Sequence, residues 1–142
     1  MENEYIEKVM KSLENDKNEE IMQLTNAKIK DQKNNILQRL QLDRTALKAL
    51  HEKLREYRYV DEISDLQFGY YVRWISLKDP DNIKLTNGAH ICDIKILNEG
   101  VHIVCRNGHN RFMQLNLDEN LVFQKLTDQE KIILKTIDYL KK

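Results

Sequence analysis

Apolar residues recur at helical spacing over the first 57 positions of the chain. Residues 1–13 predict a short amphipathic helix, because their apolar positions fall three or four apart, and the polar stretch 15–20 predicts a break. Residues 21–57 contain no Gly or Pro, and apolar residues return there at a seven-residue interval. This period predicts one long helix, or two helices in a hairpin, with a coiled-coil-like seam. The strong part of the seam consists of Ile36, Leu40, Leu47, Leu50, Leu54 and Tyr57.

Polar residues interrupt this seam at Asn26, Lys33 and Asp43, and we expect a bend near residues 33–35. A long amphipathic helix must bury its apolar stripe, either against the same helix of a second chain or on the β-rich part of its own chain. We favour the second chain, and therefore a homodimer, because a small β domain offers little surface to so long a helix. The alternative is a helical hairpin packed on the sheet of one chain.

Short apolar runs separated by turn residues predict antiparallel strands between residues 68 and 126. The turn residues are Asp79-Pro80, Asn87-Gly88 and Asn107-Gly108, which favour tight reversals of the chain. A small meander of this kind predicts an SH3-like or Tudor-like barrel, or else a partly open sheet that a helix caps. The predicted strands are 70–77, 83–85, 89–97, 101–106, 111–117 and 121–124.

The carboxy-terminal segment begins with a capping box, in which Thr127 and Glu130 are three residues apart and an apolar stripe follows. This predicts a terminal helix. The expected fold class is therefore α+β, with a helical, coiled-coil-like dimerisation segment at 1–58 and a small β-barrel-like domain with a terminal helix at 59–142.

Composition limits the classes of partner and compartment. Lys and Arg together number 23, as do Asp and Glu, and a split at Arg58 leaves neither half strongly basic. A protein that coats a duplex normally has a basic excess, although balanced totals are compatible with a local basic face. Cys92 and Cys105 lie in predicted strands, and the charged amino terminus does not resemble a signal peptide. We therefore expect reduced thiols, an intracellular location and no membrane span.

Residues with metal-binding or catalytic chemistry are present, but their pattern favours no such site. The spacing of His90, Cys92, His102, Cys105 and His109 matches no zinc-finger pattern. Strand alternation aims Cys92 and Cys105 at the core, where structural thiols are the expectation. The sequence has no phosphate loop, no dinucleotide fingerprint and no nucleophile with a sequence-local base, so we predict no enzyme activity and no cofactor.

A candidate binding face comes from aromatic and basic residues of the predicted sheet. Small barrels bind single-stranded nucleic acid by stacking bases on exposed aromatics beside Arg. The plainer alternative is that Tyr70, Val72, Trp74 and Phe112 fill the core and the remainder is an ordinary solvated surface. The candidate residues are Tyr71 and Arg73 on one strand face, with Arg106, Asn107, His109 and Arg111 around a loop.

Three stretches carry a family resemblance: REYRYVDEISDLQFGYYVRWISL from Arg55 to Leu77, and later LTNGAHICDI and LVFQKLTDQEKIIL. In them the chain resembles a group of small uncharacterised proteins from large nucleocytoplasmic DNA viruses of amoebae, of the mimivirus and marseillevirus kinds. The resemblance implies a viral origin and a place in the virion or in the viral factory of the host cytoplasm. We therefore expect a non-enzymatic structural or interaction protein, and as an alternative a nucleic-acid-binding protein.

Overall fold

The computed structural model describes residues 2–141, and these form an α+β fold, which confirms the predicted class. The helices are α1 (Glu2–Glu14), α2 (Asn26–Gln38), α3 (Arg44–Lys53) and α4 (Asp128–Leu140). The strands are β1 (Tyr57–Val60), β2 (Tyr71–Ser76), β3 (Ala89–Leu97), β4 (Gly100–Arg106), β5 (Phe112–Asn116) and β6 (Asn120–Lys125). Short 3-10 helices lie at Asp16–Asn18, Glu20–Gln23, Ile63–Asp65 and Leu117–Glu119. Met1, where the predicted first helix starts, lies outside the described residues.

The six strands form one antiparallel sheet in the order β1-β6-β2-β3-β4-β5. The predicted barrel is wrong, because β1 and β5 remain the two edges of this sheet and do not pair with each other. The other predicted form, a partly open sheet that a helix caps, is the one observed. The last strand, β6, lies between β1 and β2, so the chain returns to the middle of the sheet instead of closing it.

Most strand predictions are confirmed, and the two exceptions have simple causes. The strand β1 is missed because Tyr57 continues the seven-residue period of the helices before it. The run 83–85 forms only a single bridge, between Leu85 and Ile75. The bridge lies past Val72, the last residue of β2 that pairs with β3.

The helical region is a hairpin with its break at residues 39–43, so the predicted bend at 33–35 is wrong. Gln41 adopts a left-handed backbone conformation with a φ of 54°, which α-helical residues do not adopt. Asp43 then caps α3, because its Oδ1 atom accepts a hydrogen bond from the Ala46 amide at 2.8 Å. The polar residue at 43 on the seam therefore marks the start of a new helix.

Lys33 remains within α2 because its long aliphatic stem can be buried while its ammonium group reaches a polar partner. The residue is 7% exposed, and its Nζ atom donates to the carbonyl oxygen of Leu54 at 2.9 Å. This carbonyl belongs to the residue that directly follows α3 and caps it. The aliphatic stem is thus buried between the helices while the ammonium group caps a helix carboxyl end.

The seam packs against the sheet of its own chain. Leu54 is fully buried, and it shares a hydrophobic cluster with Ile75 of β2 and Phe123 of β6. The prediction that this seam forms a dimer interface is therefore wrong. Formation of a homodimer remains a prediction. All six seam residues belong to this cluster or pack against it: Leu50, Leu54 and Tyr57 are buried, and Ile36, Leu40 and Leu47 are half-buried.

The proposed segment boundary at residue 58 falls inside β1, and the helices on one side of it share this cluster with strands on the other side. Beyond the hairpin, α4 packs on α1 and on the loop before α2, with Ile133 and Leu134 buried there. The capping box of α4 is confirmed: Thr127 Oγ1 accepts from the Glu130 amide at 3.1 Å, and Glu130 Oε1 accepts from the Thr127 amide at 2.9 Å.

Candidate functional site

The two helices of the hairpin cover only half of one sheet face. They pack over β1, β6 and β2, where Ile75 and Phe123 are fully buried. On β3, β4 and β5, residues of the same face are exposed to solvent, among them His90, Arg106 and Phe112. The uncovered half of the face is therefore the part of the sheet that is open to a ligand.

One row of side chains crosses this face from the covered half to the free edge. Tyr71 pairs with His90, His90 pairs with Arg106, and Arg106 pairs with Phe112, each directly opposite the next. Directly opposite residues of antiparallel strands have side chains on the same face. The rings of Tyr71 and His90 meet edge to face, with centroids 5.0 Å apart.

Phe112 is an exposed aromatic, which corrects its prediction as a core residue. It is 66% exposed on the edge strand β5. The sequence contained the signal for this position: Arg106 was predicted to be exposed, and a tight reversal at 107–110 places Phe112 opposite Arg106 on the same face.

The loop between β4 and β5 has a defined conformation that the Asn107 side chain stabilises. Asn107 Oδ1 accepts hydrogen bonds from the His109 amide at 2.9 Å and from the Arg111 amide at 3.0 Å. The Asn107 amide donates to the Arg111 carbonyl oxygen at 3.0 Å and closes the loop base. Asn110 has a φ of 59°, a conformation that Asn tolerates better than most residues.

This loop forms one wall of an open cleft of about 560 Å³ at the end of β3 and β4. Arg106, which is exposed, supplies its charged group, and the ring of His90 and the exposed thiol of Cys92 also line it. The lining residues are Gly69, His90, Ile91, Cys92, Arg106, Asn107, Gly108 and Asn110.

The predicted binding residues separate into two groups. Arg106 and Asn107 line the cleft, and Tyr71 lies in the same row two strands away. Tyr71 and Arg73 are also occupied within the chain, since the Tyr71 hydroxyl donates to the Asn87 carbonyl oxygen at 2.7 Å and Arg73 Nε donates to the Thr86 carbonyl oxygen at 2.8 Å.

The remaining two members of the predicted set, His109 and Arg111, are exposed on the loop but do not line the cleft. Sequence reasoning missed His90 and Phe112 as members of this surface.

Comparison of the chain with protein-family models, with curated proteins and with solved structures finds no match. The functional argument therefore depends on the geometry of the chain itself.

The two cysteines have different environments, and one differs from its prediction. Cys105 is buried as predicted, and burial raises the pKa of its thiol to about 12, so it stays protonated. Cys92 is exposed, because the pairing register shifts between Ile91 and Asp93 and leaves it as the extra residue of a β-bulge. Within residues 2–141, His, Cys, Asp and Glu side chains form no group of three or more that suits a metal ion.

The exposed row and the cleft form a surface that a ligand can reach from solvent. Arg106 lies between a histidine and an aromatic ring, an arrangement that can contact a planar or anionic group from a solvent-facing surface.

In the part of the chain that the structure describes, no helix has the length and apolar character needed to cross a membrane.

Proposed function

We propose that the protein is a non-enzymatic structural or interaction protein that forms a homodimer through α1 and the end of α4. One observation carries this proposal, namely an apolar surface that stays exposed along these two helices. Six of the twelve large apolar side chains with high exposure lie there: Tyr5, Ile6, Met10, Leu13, Tyr139 and Leu140.

The stripe on α1 has the spacing of a helix-packing surface. Ile6, Met10 and Leu13 are separated by four and three positions, which places them on one side of a helix. They are 53%, 55% and 47% exposed. Ser12 of the same helix is buried, so α1 contacts the rest of the chain through a different side.

The end of α4 extends this surface. Asn15, just after α1, donates from Nδ2 to Gln129 Oε1 at 2.8 Å near the start of α4, and Tyr5 borders a cavity with Tyr139 near its end. The two helices are therefore antiparallel neighbours. Tyr139 is 76% exposed and continues the apolar area at the amino-terminal end of α1.

Charge favours a second copy of the chain as the occupant. A twofold interface brings the same patch of both chains together. A patch with an acidic helix and a basic helix end is therefore complementary to itself when α1 of one chain meets the end of α4 of the other. On α1 the exposed acids Glu2, Glu4, Glu7 and Glu14 outnumber the exposed lysines, Lys8 and Lys11, by two. At the end of α4 the exposed charged residues are Lys135 and, one position past the helix, Lys141, with the half-buried Asp138 between them.

Sedimentation velocity of matched variants tests the proposal. We expect the unmodified chain to form a species of twice 17.0 kDa at micromolar concentration, and the double variant Ile6→Glu/Met10→Glu to sediment as a monomer. Ile96→Glu is the control, because Ile96 is 76% exposed at the far end of β3 and lies outside the surface. A monomeric unmodified chain, or a dimer that both variants leave intact, would contradict the proposal.

The resemblance to small proteins of giant DNA viruses supplies the setting that we propose, a place in the virion or in the viral factory of the host cytoplasm. A dimer of small α+β units suits a structural or adaptor role there. Proteomics of purified virions and of infected cells tests this setting, and detection in neither would contradict it.

Nucleic-acid binding is a second candidate, and the exposure of Phe112 beside Arg106 favours it. A stacked base is worth about 1–3 kcal/mol, so Arg106→Ala/Phe112→Ala should weaken binding of a single-stranded oligonucleotide by about tenfold or more. Lys84→Ala, which changes an exposed lysine away from the row, is the control. Equal affinity in all three proteins would remove this face from consideration.

A further inference from the structure

The surface of the α2–α3 hairpin is strongly basic although the whole chain is neutral. Residues 26–55 contain eight Lys or Arg and only three Asp or Glu, a net charge of +5. A local excess of this size attracts anions even where the total charge is zero. The excess was hidden in the sequence because residues 2–25 are acidic by four charges and lie in the same half of the chain.

Part of this charge converges on an open groove of about 690 Å³ between α2 and α3. Lys33 reaches the groove from a nearly buried position, while Lys30 and Lys48 are exposed at its sides. The basic and titratable lining groups are Lys30, Lys33, Lys48, His51 and Arg55, and the acidic ones are Asp31 and Glu52.

The four Lys and Arg side chains of the lining outnumber its two acids, which leaves an excess of two positive charges. Glu52 forms an ion pair with Arg55 at 3.3 Å, and both are exposed. The Nζ atom of Lys33 donates to two carbonyl oxygens, at 2.9 Å and 3.4 Å, and an ammonium group has three donors. One Lys33 donor is therefore free for a further acceptor.

His51 reports the electrostatic potential inside the groove. Burial lowers the pKa of its ring, and the positive charges of Lys33 and Lys30 lower it further. The pKa of Lys33 is also lowered, by burial and by the charge of Lys30. These groups repel one another, and an anion between them would relieve that repulsion.

From this geometry we propose that the groove between α2 and α3 binds a phosphate group, with Lys30, Lys33 and Lys48 as the cationic partners. Phosphate suits the site because it carries up to two negative charges and several acceptor oxygens. Ile29 and Leu126 supply apolar walls, and the volume lies in the range of small-molecule sites. The phosphate therefore belongs to a phosphomonoester such as a nucleotide or to a nucleic-acid backbone. The site does not depend on dimerisation, since none of its residues belongs to the α1–α4 surface.

The first test follows the ring of His51 by NMR during addition of inorganic phosphate, with sodium chloride at equal ionic strength as the reference. The signal is assigned with His51→Gln. We expect phosphate to raise the pKa of His51 more than chloride does, because a bound anion stabilises the imidazolium. An equal response to the two salts would overturn the proposal.

The second test compares two double variants of equal charge. Lys30→Gln/Lys48→Gln removes two groove cations, whereas Lys28→Gln/Arg44→Gln removes two exposed cations of the same helices that do not line the groove. Charge-assisted contacts are the stronger hydrogen bonds, so we expect the first variant to weaken phosphate binding about tenfold or more and the control to retain it. Equal weakening in both would show a general charge effect and would overturn the site.

Two further probes identify the source of the phosphate. If adenosine monophosphate saturates the site and an oligothymidylate binds no more tightly, the site takes a small phosphomonoester. If the oligothymidylate binds more tightly and Lys30→Gln/Lys48→Gln abolishes that gain, it takes a nucleic-acid backbone. If Lys30→Gln/Lys48→Gln bound both probes as tightly as the unmodified chain does, the proposal would be overturned. Arg106 and Phe112 lie on the uncovered half of the sheet face and do not line the groove, so the Arg106→Ala/Phe112→Ala variant should leave phosphate binding intact. Failure of one site is therefore distinguishable from failure of the other.

Discussion

The Nζ atom of Lys33 lies 2.9 Å from the carbonyl oxygen of Leu54 and joins the middle of α2 to the end of α3. The same Leu54 has a fully buried side chain that packs against the sheet. The helical hairpin is therefore fixed at one point by a polar contact and by an apolar one, and its apolar stripe is buried within the chain.

Leu54→Ala should lower the free energy of unfolding by about 2–5 kcal/mol, the usual range for removal of a fully buried leucine. The physical reason is a cavity between α3 and the sheet. Chemical denaturation measures the loss, and Leu97→Ala is the control because Leu97 is 42% exposed. If Leu54→Ala dissociated a dimer without lowering the stability of the monomer, the packing of this seam within one chain would be contradicted.

Gly88→Ala should destabilise the fold by more than about 1 kcal/mol, since its backbone conformation is unfavourable for alanine. Gly88 has a φ of 96°, and an added Cβ atom would lie 2.6 Å from the Val72 carbonyl oxygen. Gly108→Ala is a matched control in another turn, where an added Cβ atom meets nothing within 4 Å. Thermal unfolding compares the two variants, and equal midpoints would contradict the close approach at Gly88.

Thr127→Ala should cost about 1 kcal/mol of stability through loss of the helix cap. The Thr127 hydroxyl is the acceptor for the Glu130 amide at the start of α4. Thr45→Ala changes an exposed threonine in the first turn of α3 that does not cap that helix. Urea titration measures both, and the capping role predicts a loss in the first variant alone.

The stability of the protein should fall as the pH decreases through the titration of His51. Burial, Lys33 and Lys30 lower its folded-state pKa below the ordinary value of 6.5. The unfolded chain therefore binds the proton first, and the stability contribution present above pH 6.5 is lost as the pH falls to the folded-state pKa. Urea midpoints at pH 7.5 and at about pH 5, in a buffer without phosphate, should differ less in His51→Gln than in the unmodified chain. The same difference in both proteins would contradict the shift.

Local signals in the sequence predicted most of the elements, because each depends on neighbours in the chain. The capping box at Thr127 and the turn at Asn87-Gly88 are examples, and the adjoining α4 and β3 are confirmed. The strand β1 is different. Its residues continue a helical period, and only pairing with β6, more than 60 positions away, makes them a strand. Sheet closure likewise depends on long-range pairing, which a single sequence does not specify.

The candidate surfaces were predictable to a smaller extent. Arg106 and Asn107 were identified because a turn and basic residues coincide there. Phe112 was assigned to the core because aromatics are usually buried, and the bulge at Cys92 reversed the predicted side of one residue. The basic groove needed the fold, since Lys30 and Lys48 lie on different helices that only the hairpin brings together.

Hydroxyl-radical footprinting over a series of protein concentrations tests most directly the proposal that α1 and the end of α4 form the interaction surface. Met10 is 55% exposed and Tyr139 is 76% exposed in one chain, and both side chains react readily with the radical when accessible. As dimer forms, their labelling should fall, while Phe112, which is 66% exposed on β5, stays labelled and serves as the internal reference. Constant labelling of Met10 and Tyr139 at concentrations where the mass doubles would contradict the proposed surface.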